Sequence, residues 1–149
     1  MKLIKTKHTL SISFFKANVN SKLELALSDS GISAGFPSPA QDFTDLSIDL
    51  NKELIKNPST TFYGRVSGES MTDLGINDGD LVIIDKSLPP LDGKIAVCFI
   101  DGEFTMKSIK LGKDCCWLLP ANPQYKPIKV TADNNFLIWG IVIHVIKSF

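Results

Sequence analysis

Two residues of this chain could together break an acyl bond: a serine in a tight turn and a lysine on an apolar strand. The serine is Ser70, within Val66-Ser67-Gly68-Glu69-Ser70-Met71. A strand ends there, Gly68 permits a sharp turn, and the hydroxyl follows beside backbone N–H groups that point the same way. Such a turn suits a nucleophile next to an oxyanion-stabilising site. So short a motif is also met by a serine that merely closes a turn.

A serine nucleophile needs a base, and the two histidines, His8 and His144, serve poorly. His8 lies near the N-terminus. His144 sits within an apolar terminal strand, where packing or an interface explains it better. A lysine can replace histidine if it is neutral near pH 7, which requires burial away from acids. Lys107 is the best placed of the fifteen lysines. Asp101-Gly102 separates two apolar runs and favours a two-residue type I′ hairpin. In that register Ile100 faces Glu103, Phe99 faces Phe104, Val97 faces Met106 and Ala96 faces Lys107. Lys107 then shares a strand face with Thr105 and Ile109. The competing reading is a lysine whose stem lies on the sheet while its ammonium stays in water. Pattern alone leaves the two open.

The elements that must hold these residues are mostly strands. Seven segments read so: 62–66, 80–85, 95–100, 104–109, 116–119, 128–131 and 136–146. Turn signals at Asp78-Gly79, Asp92-Gly93, Asp101-Gly102 and Asn122-Pro123 separate them. One short helix is expected from Asp49 to Asn57, capped by Asp49 and stopped by Pro58. Leu10 to Phe14 alternates like a strand. A mainly β fold of curled, barrel-like sheets follows. The first 34 residues carry five lysines and two acids, a net of +3, and the remainder carries −3. A basic arm thus joins a mildly acidic body through the extended stretch Gly35-Phe36-Pro37-Ser38-Pro39.

Several motifs agree in order and spacing with one family. Gly35-Phe36-Pro37-Ser38-Pro39-Ala40, Ser67-Gly68-Glu69-Ser70-Met71 and Gly75-Ile76-Asn77-Asp78-Gly79-Asp80-Leu81 resemble the UmuD proteins. So do Asp101-Gly102-Glu103-Phe104-Thr105-Met106-Lys107 and the closing Gly140 to Lys147. These are accessory subunits of an error-prone translesion DNA polymerase and relatives of the LexA repressors. The resemblance covers residues 34–149 and implies a LexA/UmuD-like self-cleaving serine peptidase of the SOS response. It makes Ser70 the nucleophile and Lys107 the general base, with the backbone of Glu69 and Ser70 as oxyanion hole. The scissile bond would be Ala34-Gly35, so residues 1–34 form an arm removed by cleavage and 35–149 the peptidase domain. A RecA filament on single-stranded DNA would stimulate the cut. The processed form would then serve a Y-family translesion polymerase as a homodimer, formed through Ile141–Ile146 as an exposed apolar edge. Residues 1–33 depart from the family, and their path is open.

Composition limits the alternatives. Sixteen cations balance sixteen acids, and only Arg65 is an arginine, so direct sequence-specific DNA reading is not expected. Cys98, Cys115 and Cys116 form no metal-ligand spacing, and neither a metal nor a cofactor is expected. No apolar run of about 20 residues suggests a membrane span, so a cytoplasmic protein with reduced thiols is expected. A non-cleaving interaction subunit of a polymerase, or a general Ser-Lys peptidase acting on other chains, remains an alternative. Lys107 is expected to be wet and charged before the arm docks, so self-cleavage should rise between roughly pH 8 and 10.

Overall fold

A computed structural model of the chain describes residues 11–21, 24–26 and 47–149. Ala34, Gly35, His8 and the proline-containing joint lie outside the described residues. The chain divides into two compact units, residues 18–58 and residues 1–17 with 59–149.

In the first unit, β2 (Glu24–Ala26) pairs antiparallel with β3 (Ser47–Asp49), and α1 (Leu50–Leu54) follows directly. The Asp49 carboxylate caps the helix by accepting from the Asn51 N–H at 3.0 Å. The helix is shorter than the expected span to Asn57. Ile55 is already extended, and the residue before Pro58 is disfavoured in helical geometry. Pro58 begins a 3-10 turn instead.

The larger unit is one antiparallel sheet of eight strands. They are β1 (Ser11–Lys16), β4 (Thr61–Ser67), β5 (Leu81–Asp85), β6 (Ile95–Ile100), β7 (Glu103–Leu111), β8 (Cys116–Leu119), β9 (Ile128–Val130) and β10 (Phe136–Ile146). Their order across the sheet is β1-β4-β5-β10-β6-β7-β8-β9. The fold is mainly β, as the alternating apolar patterns require. The sheet curls on itself: Phe14 of β1 packs against Phe104 of β7, five strands away in the order, with ring centroids 5.0 Å apart. Register shifts in β10 between Ile138 and Gly140 and between Val142 and His144 help it bend.

β10 corrects one expectation. It is not an edge strand, because its first half pairs with β6 and its second half with β5. His144 on this strand is exposed. The hairpin β6–β7 has the expected register, with Ala96 opposite Lys107 and Val97 opposite Met106. Asp101 and Gly102 have φ of 47° and 90°, the left-handed pair that a type I′ turn demands. Alternation along β7 sends Met106 into a cluster with Val66, Met71, Ile76, Val82, Ile84 and Val97. Ile109 faces the other way, into a second cluster with Ala96, Cys98, Leu118, Val130 and Ile141. Among the described residues no helix is long and apolar enough to cross a membrane.

Candidate active site

Ser70 lies in the loop that leaves β4. Gly68 turns the chain with φ 105° and donates its N–H to the Asp78 carboxylate at 2.8 Å. The turn through Asp78 is itself tied to β4: the Gly79 N–H bonds the Val66 carbonyl, and the Val66 N–H bonds the Asp80 carbonyl. From the other side, the Ala121 N–H bonds the Ser70 carbonyl at 2.8 Å. Asn122 Nδ2 bonds the Glu69 carbonyl at 2.8 Å. Met71 then anchors the loop with a fully buried side chain. These bonds leave the Ser70 hydroxyl little positional freedom, although the loop has no regular structure of its own.

Lys107 reaches the same point from β7. Its Nζ donates to Ser70 Oγ at 3.0 Å, to Thr105 Oγ1 at 2.7 Å and to the Met106 carbonyl at 3.0 Å. The two side chains are 1% and 4% exposed, so the solvated-lysine reading of the sequence does not hold. Burial lowers the lysine pKa to about 8. The neighbouring Cys98 could oppose this only as a thiolate, but burial pushes its thiol up to about 12 and it stays neutral. Three acceptors satisfy the three N–H groups of an ammonium. Loss of one proton leaves two N–H donors, enough for Thr105 and Met106, and a lone pair that can take the hydroxyl proton of Ser70.

The hairpin and the serine loop therefore bring Ser70, Glu69 and Lys107 together. Sequence reasoning gave no role at the site to Thr105, Ala121, Asn122 or Asp78, and read Asp78 and Asn122 only as turn residues. Thr105 was detectable, since i and i+2 on a strand share a face. Ala121 and Asn122 follow β8, and nothing local in their sequence points to the serine loop. The described residues contain no group of side chains able to hold a metal ion. Asp80 is nearly buried just past this turn. Burial raises its carboxyl pKa, but the Asn77 N–H and the paired Lys147 outweigh that and hold it below the ordinary value.

A buried serine hydroxyl facing a lysine amine, mounted on a curled antiparallel sheet, is an arrangement chemically suited to acyl-bond cleavage. The Peptidase S24-like family signature matches residues 26–143. Protein SamA of Salmonella typhimurium is 47% identical over 118 residues, spanning 77% of this chain and 81% of SamA. Protein MucA of Escherichia coli is 42% identical over 114 residues, or 76% of this chain and 77% of MucA. Protein ImpA of Shigella flexneri is 40% identical over 119 residues, with 76% and 77% covered. The chain belongs to the Peptidase S24-like family, in the UmuD group that its motifs resemble.

Proposed function

We propose that this protein is a self-cleaving serine peptidase whose processed form is an accessory subunit of a Y-family translesion DNA polymerase in the SOS response. The observation that carries the proposal is the buried 3.0 Å contact between Lys107 Nζ and Ser70 Oγ. Neutral Lys107 takes the Ser70 proton as Oγ attacks the Ala34 carbonyl carbon. The backbone N–H groups of Glu69 and Ser70 receive the developing oxyanion. Lys107 then gives its proton to the departing Gly35 amine, and water hydrolyses the Ala34 ester to free the serine. Ala34 and Gly35 suit this chemistry because small side chains let the backbone enter a tight cleft.

Partner assignments rest on kinship with MucA and ImpA and on the motifs. A RecA filament on single-stranded DNA stimulates the cut, and residues 35–149 act as a homodimer. The homodimer reading now rests on half of β10. β6 pairs only as far as Ile141, so the β6-facing side of the strand beyond it has no strand partner among the described residues. Leu88, Leu91 and Val142 line an apolar hollow of about 330 Å³ beside it.

The test is N-terminal sequencing of purified chain incubated with and without RecA filaments and nucleotide. A new terminus beginning Gly35-Phe36-Pro37, formed faster with filaments and absent in Ser70→Ala, is expected. Intact chain under every condition would instead support the non-cleaving subunit.

A further inference from the structure

Among the described strands the order of the sheet begins at β1 and ends at β9. β1 lies in the arm that the proposed cut would sever, yet it packs in one compact unit with residues 59–149. Hydrolysis between residues 34 and 35 breaks the covalent link without breaking any contact that β1 makes. Six residue pairs join β1 to β4, from Ser11 opposite Ser67 to Lys16 opposite Phe62.

The inward face of β1 is specific. Phe14 sits opposite Gly64. Its ring lies 4.5 Å from Trp139 and 5.0 Å from Phe104, centroid to centroid. Ile12 takes the space that a side chain on residue 64 would need, its Cγ2 only 2.8 Å from where a Cβ would stand. The seat is held from below without help from β1: Phe62 packs on Trp139 at 5.2 Å, and Lys86 Nζ lies 4.8 Å over the Trp139 ring. The outward face, Ser13 and Phe15, is exposed. A strand bonded on one side only is the easiest to remove from a sheet, and its loss leaves a row of backbone donors and acceptors beside an apolar pocket.

We propose that β1 is a displaceable strand, and that the β4 edge and aromatic pocket beneath it form the docking site for an extended segment of a partner protein. The occupant's chemistry follows from the seat: an aliphatic residue, then an aromatic one two positions later, with outward residues unrestricted. Main-chain bonds to β4 supply affinity, and the pocket supplies selectivity. This proposal rests on the reading that the chain is cut between residues 34 and 35. The cut makes the arm a separate peptide, and exchange against the partner strand, rather than hydrolysis itself, opens the surface.

The test separates that exchange from self-cleavage. The full chain carries Ser70→Ala and, after Ala34, a recognition site for an added site-specific protease. After nicking, the 1–34 fragment is expected to co-elute with the body in native size-exclusion chromatography. Phe14→Ala should weaken that hold at least about tenfold, since two aromatic contacts are lost. A labelled peptide copying residues 9–18 should bind the nicked Phe14→Ala protein and not the un-nicked chain. A peptide of unrelated sequence that keeps only the aliphatic and aromatic positions should bind too, and one with serine at the aromatic position should not. The proposal is overturned if the fragment leaves the Phe14-containing and Phe14→Ala proteins alike, or if peptide binds un-nicked chain equally well. Binding of the copied sequence but not the unrelated one would equally overturn a docking site for other proteins. Self-cleavage is scored separately in chain retaining Ser70, so its failure cannot be mistaken for either result.

Discussion

Lys107 Nζ and Ser70 Oγ, 37 residues apart in the chain, meet at 3.0 Å in a site almost closed to water. The amine arrives on the rigid β6–β7 hairpin, and the hydroxyl on a loop clamped by Asp78, Ala121 and Asn122. With burial holding the lysine pKa at about 8, the amine is partly neutral at physiological pH instead of almost fully charged.

Stability should report that shift directly. Between about pH 8 and 10.5 the unfolded lysine still binds a proton that the folded one has lost, so stability rises with pH across this window. Relative to Lys107→Met, the unsubstituted protein should gain about 3 kcal/mol between pH 7 and 10.5, from roughly 1.4 kcal/mol per pH unit. Urea titrations of both proteins at several pH values measure it. A difference that stays flat with pH would mean that Lys107 is solvated.

Thr105 Oγ1 accepts a bond from Lys107 Nζ and is expected to position the amine. Thr105→Val removes an acceptor 2.7 Å from Nζ and disfavours the ammonium, so the midpoint of the cleavage–pH profile should fall below 8. The plateau rate should drop about tenfold, because the amine loses an orienting bond. Thr105→Ser should restore both. A plateau change with no movement of the midpoint would indicate a structural role only.

Asp80 and Lys147 tie the turn after the serine loop to the end of β10. Asp80→Asn should destabilise the protein by about 1–3 kcal/mol at pH 7, since a charge-assisted bond is lost. The Asp80 carboxyl has a depressed pKa, so its contribution is present above the unfolded value near 3.9 and is lost as pH falls through the folded one. The two proteins should therefore converge in acid when followed by thermal unfolding.

Duplex DNA should bind weakly. Equal numbers of cations and acids and a single arginine offer few phosphate contacts, so binding in low salt should vanish by about 0.2 M salt. Fluorescence anisotropy with any duplex checks this, and tight salt-resistant binding would count against an indirect, protein-mediated role.

Local chemistry explains which features were legible before the structure. The β6–β7 hairpin was readable because Asp101-Gly102 sets its register, and that register alone puts Lys107 on one face with Thr105. Asp49 announced the helix start, whereas its early end at Leu54, where Ile55 is already extended, came before the only stop signal, Pro58. Strands β2 and β3 are three residues each, too short to show a period. The burial of Lys107, the grip of Ala121 and Asn122 on the serine loop, and the inclusion of β10 between β5 and β6 are long-range facts. Each depends on how the sheet curls, which no window of neighbouring residues encodes.

The rate of self-cleavage against pH, followed by mass spectrometry of the purified chain, tests the Ser-Lys account most directly. The burial of Lys107 revises the expected pH range downward: cleavage should rise from pH 7 with a midpoint at about 8 and level off near pH 9. Only fragments divided between Ala34 and Gly35 should appear. Ser70→Ala, Lys107→Ala and Lys107→Arg should be inactive at every pH, because a guanidinium keeps its proton throughout this range. Lys110→Ala, an exposed lysine of the same strand, should cut normally. Cleavage that persists in Lys107→Ala with the same pH profile would contradict the account.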